Sequence, residues 1–266
     1  MTSSLNLNRK IRMTKLSEYA DKYQTIKMKR QNGILEVRLH TNDGPLHWSL
    51  LPHGELERAF YEIGHDPENQ VMILTGSGEA FSGPPCPPNG HNHVSHPVTA
   101  MEWDPIYWEG KHLLMNLLNI EIPIIGAING PALRHSEIPL LSDIVLASEN
   151  TTIQDSAHFA GGLVPGDGVH IVFPHLMGIN RGRYFLLTGQ TLSATEAKEM
   201  GLISEVLPRD KLLARAYEHA EFLMQRSPLL RRYSRTLLTQ ELKQKMHNLL
   251  GYGLALEGLA ASHKSS

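Results

Sequence analysis

The chain has 266 residues, with 25 basic and 27 acidic side chains and a formal net charge of -2. This balance lacks the positive surface that binding to nucleic acid or to an anionic membrane requires. A hydrophobic fraction of 41% is enough for a buried core, and no run approaches the roughly 20 apolar residues of a membrane-spanning helix. Because Cys86 is the only cysteine, no internal disulfide can form, and we expect a cytoplasmic protein.

The first half of the chain alternates strand and helix patterns. Residues 34–39 alternate apolar and polar side chains, and Asn32-Gly33 before them predicts a tight turn to a partner strand at 26–28. Helical spacing over 56–63 is followed by a short apolar run at 71–75, which predicts a buried strand. The pattern is typical of an α/β fold with right-handed crossovers.

The same alternation continues further along the chain. Residues 83–98 are rich in Pro, Gly, His and Asn and predict an irregular loop, and the helical period of 108–118 leads to a second buried strand at 123–128. A helix-to-strand passage at 140–147 and a short strand at 152–154 follow. Beyond about residue 180 the patterns are helical. The predicted helices there are 183–187, 194–200, 212–225 and 229–259.

Several stretches resemble the crotonase, or enoyl-CoA hydratase/isomerase, superfamily. They are residues 71–82, 122–132, 142–147, 183–189 and 194–203. The resemblance implies a ββα spiral core over 23–205, preceded by an N-terminal tail at 1–22 and followed by a helical trimerisation region at 206–266. It also implies a homotrimer or a dimer of trimers.

Two turns depart from the pattern of the coenzyme A-using members. Those members place small glycines after the second strand, where a backbone N–H approaches the thioester oxygen. This chain has Leu133-Arg134-His135-Ser136-Glu137 instead, and prolines, which lack the N–H donor, follow Gly83 in the first turn. We therefore expect the thioester oxyanion hole to be absent.

The residues around these departures resemble the 6-oxocamphor hydrolases, a branch that hydrolyses cyclic β-diketones without a cofactor. The matching stretches are residues 46–49, 134–139, 154–159, 163–168 and 254–260. The resemblance implies that the active-site residues are Trp48, His135, His158, Asp167 and Glu257. We expect Trp48, His135, Phe159 and Trp108 to contact the substrate. Aromatic pocket walls near Trp103, Tyr107, Trp108 and Phe159 favour an apolar alicyclic ligand.

These residue types suit a retro-Claisen hydrolysis, in which water adds to one carbonyl and the other leaves as an enolate. A histidine near neutral pKa is a suitable base, and a carboxylate on its other ring nitrogen fixes the tautomer. We assign these roles to His158 and Asp167, with Glu257 holding the water. The indole N–H of Trp48 and the imidazole of His135 would stabilise the enolate oxygen.

Other interpretations stay open at this level. The chain could be a coenzyme A-thioester hydratase or isomerase with a rebuilt oxyanion hole, or a non-catalytic scaffold of the same fold. Trp48 could only fill the core, and Asp167, between two glycines, could only close a turn. The alternating His91, His93 and His96 could bind a metal, but no carboxylate or second thiolate stands nearby in the sequence, so we expect no metal site.

Overall fold

The computed structural model describes residues 13–84 and 97–263. The strands in these ranges are β1 (Ile26–Gln31), β2 (Ile34–Leu39), β3 (Leu46–His47), β4 (Val71–Gly76), β5 (Ser82–Gly83), β6 (Ile124–Ile128), β7 (Ile144–Ser148), β8 (Thr152–Ile153), β9 (Leu192–Ser193) and β10 (Glu205–Leu207). The helices are α1 (Leu16–Tyr19), α2 (Leu50–Gly64), α3 (Ala100–Asn119), α4 (Glu137–Leu140), α5 (Val169–Met177), α6 (Ile179–Thr188), α7 (Ala194–Glu199), α8 (Arg209–Met224), α9 (Pro228–Leu238) and α10 (Gln240–Ala261).

The main sheet has six strands in the order β1-β2-β4-β6-β7-β10. Only the β1–β2 pair is antiparallel, and its tight turn uses the left-handed backbone of Asn32 and Gly33, as the sequence predicted. The other four pairs are parallel, and β4 and β6 are buried along their whole length. A central parallel strand is covered on both faces, which explains the continuous apolar runs.

A second, smaller layer lies beyond the carboxyl ends of the main strands. It contains the parallel pair β3–β5 and the antiparallel pair β8–β9, joined through single bridges from Ser82 to Ala132 and from Ala132 to Ile153. Leu46, Ser82, Ala132 and Ile153 therefore lie side by side in one register. Because these four segments run parallel, the residues that follow them leave the layer at the same edge.

Two predicted helices differ from those observed. The helix predicted over 229–259 is two helices, because α9 ends before Thr239 and α10 starts after it. The helix predicted from residue 108 begins at Ala100, where Thr99 and Glu102 form a reciprocal capping box. The heptad-like leucines of α3 mark only its buried part, so the polar first turns gave no periodic signal.

Among residues 13–84 and 97–263, no helix is both long and apolar enough to cross a membrane. Most of the loop predicted at 83–98, with Cys86 and the three histidines at 91, 93 and 96, lies outside the described residues.

Candidate active site

The shared edge of the second layer brings three predicted site residues together. Trp48 follows β3, His135 follows the bridge residue Ala132, and His158 follows β8. The rings of Trp48 and His135 stack with their centroids 3.8 Å apart, and the rings of His135 and His158 meet edge to face at 6.3 Å. Residues that are 110 positions apart in the sequence therefore form one cluster because their strands share a register.

His158 is held by carboxylates at both ring nitrogens. Its Nδ1 lies 2.7 Å from Asp155 Oδ1, while its Nε2 lies 3.1 Å from Asp167 Oδ1 and 3.7 Å from Glu257 Oε1. The ring is 2% exposed, so these contacts are made away from bulk water. The sequence predicted that Asp167 holds the ring nitrogen that does not act as the base. In the structure Asp155 holds that nitrogen, Nδ1, and Asp167 lies at Nε2 instead.

His135 sits on the other side of Asp167. Its Nδ1 lies 2.8 Å from Glu137 Oε1 and 3.1 Å from Asp167 Oδ2, so Asp167 lies between the two imidazoles. The backbone of His135 has φ of 49°, in the left-handed region that costs a residue with a Cβ roughly 1–2 kcal/mol. The contacts to Trp48, Glu137 and Asp167 hold the residue in this strained conformation.

Two glycines bring Glu257 into the cluster. A Cβ on Gly166 would lie 2.3 Å from the carbonyl oxygen of Gly253, and a Cβ on Gly253 would lie 2.4 Å from that of Gly166. The backbone of α10 can therefore pack directly against the turn before α5 only because neither residue has a side chain. This approach sets Glu257, one turn after Gly253, beside Asp167 and His158.

The cluster lines a cavity of about 300 Å³ with mostly apolar walls. The apolar lining residues are Leu50, Val98, Trp103, Ile106, Ala157, Leu163, Leu254 and Ala261. A few converging polar groups in an apolar hollow of this size are typical of small-molecule sites. A larger depression of about 880 Å³ between α1 and α2 is lined mainly by charged and polar side chains, among them Glu18, Lys22 and Arg58, and it lacks such convergence.

Two of the predicted substrate contacts lie elsewhere. Phe159 is 54% exposed and Trp108 is 52% exposed, and neither is among the described residues that line the cavity. Phe159 starts a short 3-10 turn, and the ring of Trp108 lies 4.1 Å from the ring of His112, one turn along α3. Trp103, which the sequence also placed near the pocket, does line the cavity, and its indole N–H donates to the carbonyl oxygen of Leu254.

Burial and charge act in opposite directions on these groups. Burial disfavours a charged imidazole, but Asp155, Asp167 and Glu257 outweigh it and raise the pKa of His158 well above its usual value. Burial favours a neutral Asp167, but His158 and His135 outweigh it and lower the pKa of that carboxyl. Burial dominates at Glu257 and raises its pKa to about 8. Asp167 is therefore ionised and Glu257 protonated at neutral pH.

Three further residues of the site were not predicted from the sequence. Asp155 belongs to a matching stretch but was given no role, although its position three residues before His158 offered a signal. Glu137 is completely buried beside His135. His53 on α2 lines the cavity, with Nδ1 3.1 Å from Glu109 Oε2, and its helical position gave no signal, because it depends on how α2 packs on α3.

The donor atoms of His135, Glu137 and Asp167 lie within 4.8 Å of one another, a spacing that a cation could also use. We interpret it as a hydrogen-bonded cluster, since a direct 2.8 Å hydrogen bond between His135 and Glu137 already accounts for the close approach. The predicted absence of a metal from the loop at 91–96 concerns residues outside the described ranges.

Comparison with known proteins shows the family of the chain. The family model for enoyl-CoA hydratase/isomerase matches residues 29–257. The chain belongs to this family. The prediction of a crotonase-type α/β fold is confirmed, and the protein is a crotonase-family enzyme.

The relatives of this crotonase-family chain differ in activity. A β-diketone hydrolase from the cyanobacterium Anabaena sp. PCC 7120, solved with (S)-3-oxocyclohexyl acetic acid bound, is 50% identical with a TM-score of 0.86, over 92% of this chain and 97% of that one. The probable peroxisomal enoyl-CoA hydratase 1 of Arabidopsis thaliana is 28% identical over 76% of this chain and 72% of its own. An enoyl-CoA hydratase/isomerase from Mycobacterium paratuberculosis, at 24% identity and a TM-score of 0.81 over 92% and 96% of the two chains, supports the fold alone.

Proposed function

We propose that this enzyme hydrolyses a carbon–carbon bond of cyclic and bicyclic β-diketones and releases keto acids. The observation that carries the proposal is the convergence of His158 and His135 on one small cavity, with Asp167 between them. The ring of His158 would take a proton from water. The ring of His135 would donate a hydrogen bond to the oxygen on which charge develops.

Water activation would take place at the Nε2 side of His158. Asp155 on Nδ1 fixes the ring and stabilises the imidazolium, while Asp167 and Glu257 border the space where a water would sit. The water oxygen forms a bond to one carbonyl carbon, and its proton passes to the group formed by His158 and its carboxylates. The bond between that carbon and the central carbon of the diketone then breaks.

The leaving fragment is an enolate whose oxygen carries the negative charge. Trp48 offers an indole N–H and His135 an imidazole N–H on the opposite wall, and their stacked rings keep the two donors side by side. Protonation of the enolate carbon completes the keto acid, so that water is the only co-reactant. These side-chain donors would replace the glycine-based oxyanion hole.

The Anabaena relative supports the substrate class. The ligand bound to that protein contains a ring ketone and an acetic acid side chain. This is the product expected when water opens a bicyclic 1,3-diketone that contains a six-membered ring. The mainly apolar lining of the present cavity suits such a neutral substrate, since Arg134 is the only described lining residue with a permanent positive charge.

Incubation with a panel of cyclic, bicyclic and acyclic 1,3-diketones in ¹⁸O-labelled water tests the proposal. We expect a keto acid, detected by mass spectrometry, with one labelled oxygen in its carboxylate. Crotonyl-CoA, assayed in parallel, is the control substrate. Hydration of crotonyl-CoA without keto acid from any diketone would contradict the proposal.

A coenzyme A-thioester hydratase or isomerase is the second candidate, because relatives such as the Arabidopsis protein carry that description. The local structure favours it less. Pro84 follows the first turn, and the second turn places the side chain of His135, rather than a glycine, over the cavity. Both changes remove the small or N–H-bearing positions that a thioester oxygen needs.

The pH profile should reflect the shared protons of His158 and Glu257. The raised pKa values of His158 and Glu257 favour a protonated pair, so the pair becomes a base only after losing one proton, and the pKa of Glu257 places this loss at about 8. We expect kcat/KM to rise with pH and to level off above this value. Glu257→Gln removes one of the carboxylates that raise the pKa of His158, so the inflection should move to lower pH. A flat wild-type profile, or an unchanged inflection in the variant, would argue against this pair as the base.

We also propose that copies of the chain assemble through the C-terminal helices. Several large apolar side chains of α9 and α10 are exposed in the single chain: Leu229, Leu230, Tyr233, Leu237, Leu238, Tyr252 and Leu259. Exposed large apolar side chains in such number on two successive helices are typical of a protein–protein contact. The homotrimer or dimer of trimers predicted from the sequence would cover it.

A further inference from the structure

Glu137 is a buried carboxylate that the proposed mechanism has not used. It is 0% exposed at the first position of α4, and its Oε2 has no hydrogen-bond partner among the described residues. A buried carboxyl with an unsatisfied oxygen is costly for the fold and is therefore a candidate for a functional role. Its remaining oxygen makes a single side-chain contact, the 2.8 Å hydrogen bond to Nδ1 of His135.

This contact decides which nitrogen of His135 can serve a ligand. Nδ1 is occupied by Glu137 and by the charge of Asp167, so Nε2 is the ring nitrogen left for the cavity that His135 lines. A histidine donates from Nε2 only if that atom carries the proton. In a neutral ring with Nδ1 protonated, Nε2 would be an acceptor and would repel an enolate oxygen.

We propose that Glu137 is a positioning residue that keeps Nε2 of His135 protonated and turned toward the substrate. This inference rests on the proposed function. In the proposed arrangement Glu137 and His135 together hold two protons, one on Nε2 and one between Nδ1 and Oε1. Whether the second proton belongs formally to the imidazole or to the carboxyl, Nε2 remains a donor. The pairing parallels that of Asp155 with His158, so each catalytic ring has its own orienting carboxylate.

The charged groups around His135 come from four parts of the fold. They are Glu137 on α4, Asp167 before α5, His158 after β8 and His53 on α2. The two carboxylates stabilise the protonated ring, and the two histidines oppose it. Removing the charge of Glu137 leaves Asp167 as the only carboxylate among the described residues in contact with Nδ1, and this carboxylate is shared with His158. The ring of His135 should then lose its proton at lower pH.

The test is ¹⁵N NMR of the histidine rings in the wild type and in Glu137→Gln, with the His135 signals identified by their absence from His135→Gln. We expect the wild-type Nε2 to stay protonated from about pH 6 to 9, near and above the usual titration range of histidine. In Glu137→Gln the amide can donate or accept, so Nε2 should become partly unprotonated. The kcat for diketone hydrolysis should fall by roughly tenfold at alkaline pH and by less at acidic pH, as expected for a tautomer that is only partly lost.

Glu205→Gln is the matched control, because Glu205 on β10 pairs with His219 on α8 at 2.8 Å, and neither residue lines the cavity. Its ring signals should change for His219 alone, with kcat unchanged. If Glu137→Gln does not fold, Glu137→Asp carries the test, since it keeps the charge but withdraws the oxygen from Nδ1. His135 signals that match the wild type in the folded variant would overturn the inference. If the signals change as expected but the wild type cleaves no diketone, the proposed function fails and the proton placement stands.

Discussion

The His158→Ala variant is expected to lose kcat/KM for diketone hydrolysis by roughly 10²- to 10⁴-fold, the range of a positioned general base. The reason is that no other described ring lies within reach of both Asp167 and Glu257, which border the space proposed for the water. Steady-state kinetics on the diketone that gives the fastest wild-type turnover would measure the loss.

This variant also leaves the buried Asp155 without its 2.7 Å partner, and breaking a buried pair costs about 3–5 kcal/mol of folding free energy. His158→Asn is therefore the more informative substitution, because its amide nitrogen takes the place of Nδ1 and can still donate to Asp155 but cannot act as a base. His219→Ala, which removes a carboxylate-paired histidine from α8, is the control and should keep wild-type kinetics. A folded His158→Asn variant with kcat/KM near that of the wild type would exclude His158 as the base.

The second large effect is expected at His135. His135→Ala should lower kcat by roughly 10²- to 10³-fold, as the loss of one oxyanion donor does, with a smaller change in KM. The donor acts on charge that is present only after the carbon–carbon bond begins to break, so the ground-state complex is affected less.

Trp48 tests the same assignment, because its ring stacks on that of His135 and carries the second proposed donor. Trp48→Phe keeps an aromatic ring on His135 but removes the indole N–H, and the double variant should lose less than the product of the two single losses. Non-additivity of this kind is expected when two donors serve one atom and their rings are 3.8 Å apart. Fully independent effects, or a kcat for His135→Ala within twofold of the wild type, would argue against a shared oxygen.

The sequence predicted the fold well where side chains repeat locally. The runs at 71–75 and 123–128 lie on central parallel strands, and the Asn32-Gly33 turn is where the hairpin reverses. It predicted less well where an element depends on its partners. The start of α3 at Ala100 depends on a capping box rather than on apolar periodicity, and the break at Thr239 separates two helices that pack differently.

The sequence by itself determined the α/β class, the family and the chemical types gathered at the site, because strand and helix periods and the family motifs are local in the chain. It also predicted the absence of a glycine-based oxyanion hole, since that depends only on which residues occupy the turns. Only the tertiary structure decided which nitrogen of each histidine meets which carboxylate. Those pairings join segments up to about 100 positions apart, through the common register of Leu46, Ala132 and Ile153 and the glycine contact of α10. Neither periodicity nor spacing contains this information, because it arises from the packing of one layer on another.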